Sequence, residues 1–149
     1  MSELEKLGRR FGVSHESGVW NRIVGFEETE PRTGLEGHPG VTAHRYVSGP
    51  DRGTRWMLVT LNVIEPGGGI DPHYHEGMTA DHAYFLIDGR AVARIGDEEH
   101  EVLPNGLMVF RADVVHGFRI VGNEPARVLR LGAAPDGIAT GGSVFVGTE

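Results

Sequence analysis

An all-β fold, a single barrel or sandwich of short strands, is what this sequence predicts, and three observations predict it. Glycine and proline are dense, 23 and 8 of 149 residues, with no internal repeat; that is the composition of many turns joining short strands. Runs rich in Val, Ile, Thr, Tyr and Phe recur with turn signals about every 8–12 residues, which favours a closed all-β architecture over alternating strands and helices. Between two of these runs stands Asp88-Gly89, a dipeptide suited to a hairpin because glycine takes positive φ freely. A chain of this length is one domain and can bury roughly two-thirds of its unfolded surface.

Residues 1–40 read as an N-terminal arm followed by a first strand or loop. The first 18 are polar, and residues 3–10 read equally as a helical turn or two or as an arm lying on a neighbouring subunit. Residues 27–40, rich in Glu, Gly, Pro and Thr, carry loop chemistry. The barrel core is expected over residues 41–131. Strands are predicted at 41–47 and 55–64, then at 83–87, 91–95 and 99–103, with Asp88-Gly89 and Gly96-Asp97 as the turns between the last three. Residues 107–110, 115–121 and 126–131 complete the set. The tail, 132–149, is Gly-rich with one apolar piece, Val144-Phe145-Val146.

Composition then narrows the function. No cysteine is present, which excludes a disulfide framework, a thiolate zinc site, an iron–sulfur cluster and a cysteine nucleophile. The net charge of −7 opposes nucleic-acid binding, which needs clustered Lys and Arg. The longest mostly apolar run, 56–64, is far short of the roughly 20 residues that cross a bilayer. The charged start at residues 1–6 lacks the apolar stretch of a signal peptide. A soluble, cytoplasmic protein with no membrane partner is expected. Eight histidines without cysteine imply that any transition metal is held by imidazole.

Four histidines fall in the β-rich centre: His73, His75, His82 and His116. Residues two apart on a strand share a face, so His73 and His75 can converge on one ion. His82 begins the next strand, where it shares a face with Tyr84 and Leu86; His116 shares one with Phe118 and Ile120. Ligands from three strands would thus meet inside a barrel, among the apolar pocket walls Leu86, Phe118 and Ile120. The other histidines read as bland: His15 and His38 in polar loops, His100 on an outer acidic strand, and His44 at an alternating position of 41–47. Arg94, Arg119, Arg127 and Arg130 lie on strands, where outward placement is expected for each. Turned inward, such an arginine would pair a substrate carboxylate.

The stretch Pro66-Gly67-Gly68-Gly69-Ile70-Asp71-Pro72-His73-Tyr74-His75 resembles the first motif of the cupin superfamily, a glycine followed by His-x-His. The end of that motif, a glutamate six residues before a glycine, is matched by His82 to Gly89 with histidine in the glutamate's place. The second motif resembles Arg111 to His116, with Asn123 downstream, although Arg111 and Asp113 stand where the motif has Pro and Gly. The resemblance spans residues 56–131 and implies a double-stranded β-helix, or jelly roll. It implies one divalent transition metal ion (Fe, Mn, Zn, Ni or Cu) on His73, His75, His82 and His116. The all-histidine set resembles manganese oxygenase-like cupins and zinc aromatic polyketide cyclases. Dimers are common in the superfamily, so a homodimer is expected, with the arm and tail available for exchange. Six residues, 76–81, separate His75 from His82, more than the motif's three or four, which lets Glu76 or Asp81 approach the metal.

Four neutral imidazoles leave the charge of a divalent ion uncompensated, so an anionic ligand (an enolate, phenolate or carboxylate) is expected to bind. The ion would lower the pKa of a bound enol or water. A dioxygenase acting on a small enolisable or phenolic substrate is the leading expectation. A non-redox cyclase, isomerase or lyase is the alternative, and a non-catalytic binding protein the third. Asp81 is expected to fix a ligand imidazole by accepting its N–H, and Tyr84 to orient substrate or donate a proton.

Overall fold

A computed structural model of the chain describes residues 15–16, 19–20, 23–48, 57–76, 82–133 and 142–147. The helical turn or arm read at 3–10, residues 55–56 of the second predicted strand, and Asp81 lie outside them. The described elements are β1 (His15–Glu16), β2 (Val19–Trp20), a 3₁₀ turn (Phe26–Glu28), β3 (Pro31–Arg32), β4 (Val41–Ser48), β5 (Met57–Ile64) and β6 (Gly69–His75). They continue with β7 (His82–Asp88), β8 (Arg90–Ile95), β9 (Glu98–Val102), β10 (Leu107–Phe110), β11 (His116–Val121), β12 (Ala126–Ala133) and β13 (Ser143–Phe145). No helix among the described residues is long and apolar enough to cross a membrane.

Two antiparallel sheets carry the core, one in the order β10-β7-β12-β5-β4-β3 and the other in the order β13-β6-β11-β8-β9. This is the all-β jelly roll expected from the residues. Alternation fixes which side chains point between the sheets. The larger sheet contributes Val41, Ile64, Tyr84, Leu86, Met108, Phe110, Ala126 and Val128; the smaller contributes Ile70, Ala91, Ala93, Phe118 and Ile120. Each fully buried large side chain of this set stabilises the fold by about 1.5–3 kcal/mol.

One turn behaves differently from expectation. Asp88-Gly89 does not close a hairpin, because β7 pairs with β10 and β12 while β8 pairs with β9 and β11. The chain changes sheets there. Gly89 takes φ +84°, and a Cβ on it would lie 2.6 Å from Cβ of Ala126. Asp88 accepts hydrogen bonds from the backbone N–H and Nε of Arg127, both at 2.7 Å, and so pins the corner to β12. Gly96-Asp97, by contrast, is a true hairpin turn, with Ile95 opposite Glu98.

Within the tail, the described residues 143–145 join the barrel. β13 adds an edge to the smaller sheet, with Ser143 opposite His75 and Phe145 opposite His73. Gly69 and Gly117 let β6 and β11 approach closely. A Cβ on Gly117 would sit 2.6 Å from the Ile70 carbonyl oxygen, and the register between the strands shifts between His116 and Phe118. That shift sets His116 directly opposite His73.

Candidate metal centre

Three of the four central histidines meet in one cluster. His73, His75 and His116 are all buried, and each offers a ring nitrogen within 4.8 Å of the other two. His73 and His75 come from one face of β6, and His116 from its neighbour β11. Their ring centroids lie 4.8 Å (His73–His75), 4.5 Å (His73–His116) and 5.5 Å (His75–His116) apart. His82 reaches in from the facing sheet and stacks on His75 at 4.7 Å, but its ring is 6.1 Å from His116.

Backbone acceptors set the tautomers. His73 Nδ1–H donates to the Asp71 carbonyl at 2.8 Å, and His116 Nδ1–H donates to the Val114 carbonyl at 2.7 Å. His75 Nδ1–H faces the Gly142 carbonyl, with the Ser143 hydroxyl 3.4 Å away. Each Nε2 therefore carries a lone pair. Nε2 of His73 and Nε2 of His75 stand only 3.2 Å apart, and buried Nε2 of His116 has no partner among the described residues. A proton is a poor remedy. Burial lowers the pKa of His73 and His116, and burial with the neighbouring His73 and His116 lowers that of His75 to about 4. Two nitrogens each ~2.1 Å from a common ion lie about 3.0–3.4 Å apart in octahedral or tetrahedral geometry, so the pair fits a divalent ion. The donor set is that of a metal centre.

His82 is held by a different partner. Nη2 of Arg130 lies 3.4 Å from its Nδ1, and burial, followed by the Arg130 charge, depresses its pKa to about 3. Tyr84, two residues along β7, is buried with its hydroxyl within reach of Arg130, and burial raises its pKa. Aromatic rings brace the cluster: Phe110 stacks on His116 at 4.8 Å, and Phe145 lies 5.4 Å from His73.

A cavity of about 310 Å³ opens beside the histidines. Its described lining includes His73, His75, His82, Tyr84 and Ile70, together with Thr60, Asn62, Arg45, Arg130 and Ser143. Leu86, Phe118 and Ile120 face inward, but they pack into the core cluster and the described lining does not include them. The wall is more polar than the sequence reading supposes. Arg94, Arg119 and Arg127 pair with Asp97, Glu99 and Asp88. Arg130 departs from the expected outward placement and faces the cavity. Alternation was the signal for it, since Ala126 and Val128 on the same strand are buried. Nothing in the local sequence pointed to Ser143, which reaches the site only because β13 docks on β6. Glu76 is exposed. His100 is outside beside Glu98, and His44 turns to the outer face against Thr29 and Phe26.

Comparison with known proteins agrees with this construction. Residues 60–132 match the family model described as Cupin_2, a cupin domain. No curated protein matches the chain in sequence. Among solved structures, the polyketide cyclase RemF from Streptomyces resistomycificus aligns over 87% of this chain and 87% of its own, at 18% identity and TM-score 0.67. KdgF from Halomonas sp. aligns over 76% of this chain and 93% of its own, at 17% identity and TM-score 0.62. A sugar phosphate isomerase of the cupin superfamily from Silicibacter pomeroyi aligns over 75% of both chains, at 24% identity and TM-score 0.64. By its matched domain, its two-sheet barrel and its buried histidine cluster, the chain carries a cupin domain over residues 60–132.

Proposed function

We propose that this chain is a metal-dependent enzyme whose small, enolisable substrate binds as an anion and reacts by non-oxidative proton transfer, as in an isomerase, cyclase or lyase. The observation that carries the reading is the 3.2 Å approach of two Nε2 lone pairs beside Nε2 of His116, which has no partner among the described residues. A divalent ion held there by His73, His75 and His116, with His82 stacked beside them, would supply Lewis-acid stabilisation of charge developing on oxygen. The chain's own residues do the rest. Thr60 and Asn62 offer hydrogen bonds from the cavity wall, and Tyr84 presents a hydroxyl that stays protonated at neutral pH. Leu86, Phe118 and Ile120 pack in the buried core between the sheets. Cyclisation and isomerisation of carbonyl compounds both pass through enolates, and two of the structural relatives are named as a cyclase and an isomerase.

Dioxygenase chemistry is the second reading. It is favoured by the placement of all three clustered histidines on one sheet, which leaves the cavity side of an ion open. Asp81 is proposed as the acceptor that orients a ligand imidazole. Two copies of the chain are proposed to pair through the outer face of the larger sheet. The function is tested by elemental analysis of purified protein, followed by anaerobic deuterium exchange into β-diketone or oxo-acid probes. About one ion per chain and exchange without oxygen are expected, both lost in His75→Ala and His116→Ala. Oxygen uptake with no anaerobic exchange would transfer the assignment to the dioxygenase; protein that takes up no metal would end both.

A further inference from the structure

We infer that Arg130 is the anchor for a carboxylate on the substrate, which makes that substrate a short oxo acid or related carboxylate rather than a neutral diketone or phenol. The inference deepens the metal-centre reading and rests on it only for the substrate's second point of attachment.

Five other arginines show what Arg130 lacks. Arg90, Arg94, Arg111, Arg119 and Arg127 each pair with a carboxylate, on Glu101, Asp97, Asp113, Glu99 and Asp88 respectively. Their carboxylates are on the outer surface, where such pairs contribute little. Arg130 is half-buried on the cavity wall, and among the described residues its partners are Tyr84 and, at 3.4 Å, Nδ1 of His82. Its Nε is buried with no hydrogen-bond partner among the described residues. A guanidinium stays charged in a protein, and a partly desolvated cation with no carboxylate beside it among the described residues is costly. A ligand anion removes that cost, and a planar carboxylate matches the fork through two parallel N–H bonds.

Position makes this cation useful. Arg130 stands opposite Tyr84 in the β12–β7 register and opposite Thr60 in the β12–β5 register, all facing the cavity. It is one imidazole away from the cluster, because His82 stacks on His75 at 4.7 Å. Arg32 and Arg45 also line the cavity, and Glu36 is the one carboxylate in its described lining. A chain of net charge −7 thus concentrates positive charge at this opening, which focuses anions toward it. A carboxylate on Arg130 leaves the other end of a short molecule facing His73 and His75, which line the same cavity.

The test measures binding of malonate, acetylacetone and inorganic phosphate by titration calorimetry at neutral pH, to metal-loaded protein and to metal-free protein. Arg130→Gln and Arg130→Lys are compared with the wild type, and Arg127→Gln serves as the outer-surface control. Malonate should bind the wild type and weaken about 10- to 100-fold in Arg130→Gln, the size expected for hydrogen bonds to a charged group. Arg130→Lys should recover part of the loss, and acetylacetone affinity and metal content should stay unchanged. Equal malonate affinity in wild type and Arg130→Gln, or a wild type that takes phosphate and not malonate, overturns the inference. If no metal loads, the metal-centre reading fails separately, and the malonate titrations of metal-free protein still decide the role of Arg130.

Discussion

At the scale of single residues, the site is an arrangement of lone pairs held by backbone carbonyls. His73 and His116 have their tautomers fixed by Asp71 and Val114, so their contribution to metal binding is prepared before any ion arrives. The cluster closes without His82, whose Nδ1 is turned to Arg130. Replacing His73 or His116 by Ala should therefore remove stoichiometric metal, whereas His82→Ala should keep it with affinity reduced about 10- to 100-fold; competition against a chelator reads the difference. Loss of all metal in His82→Ala would make it a full partner of the other three. The same residues set an acid limit. With folded pKa values below the usual 6.5, about 4 for His75 and about 3 for His82, these groups take up protons on unfolding. Their contribution to stability is complete above pH ~6.5 and is lost as pH falls toward 4 and then 3. Each costs up to about 1.4 kcal/mol per pH unit in that window. Melting temperature of metal-free protein should fall steeply between pH 6.5 and 4, and an alanine substitution at His75 should flatten the slope.

Elements explain why some of this was legible in advance and some was not. The period-two reading placed His82, Tyr84 and Leu86, and likewise His116, Phe118 and Ile120, on inward faces, because alternation is a local property of extended backbone. Strand limits came within two residues at β7 through β12 for the same reason. Sheet membership is not local, so Asp88-Gly89 looked like a hairpin although it is a corner between sheets. The docking of β13, which brings Ser143 to His75, depends on a pairing across more than 65 residues of sequence. Arg130 was legible by parity but obscured by the general tendency of arginine to face water. The close approach of β6 and β11 was invisible too, since it depends on what a Cβ would meet. It gives a direct prediction: Gly117→Ala places that Cβ 2.6 Å from the Ile70 carbonyl oxygen, so the strands must part. The cost should be about 1–3 kcal/mol, with weaker metal binding because His116 moves away from His73. Gly147→Ala, with open space around it, should change neither chemical melting nor metal content.

At the scale of the whole molecule, the outer face of the larger sheet is the feature a monomer leaves unexplained. Across β10, β7, β12 and β5, the register aligns Val109, Ala83, Leu131 and Val59 in one row and Leu107, Phe85, Leu129 and Leu61 in the next. None of these eight side chains is charged, although the chain carries −7 overall. Leu107 and Val109 are each more than half exposed, and Leu131 is about one-third exposed. Soluble monomers rarely leave a contiguous apolar face of this kind in water. A second copy of the chain is the proposed occupant, because a neutral patch is where two acidic molecules approach with least repulsion. A two-fold pairing also buries the same rows from both sides. Light scattering on purified protein should give twice the chain mass. The double variant Val109→Lys/Leu131→Lys should give a monomer, since each lysine would be buried in the apolar contact without a partner. The histidine cluster faces the opposite side of this sheet, so the monomeric variant should keep its metal; a wild type of single-chain mass would overturn the pairing and leave the metal centre untouched.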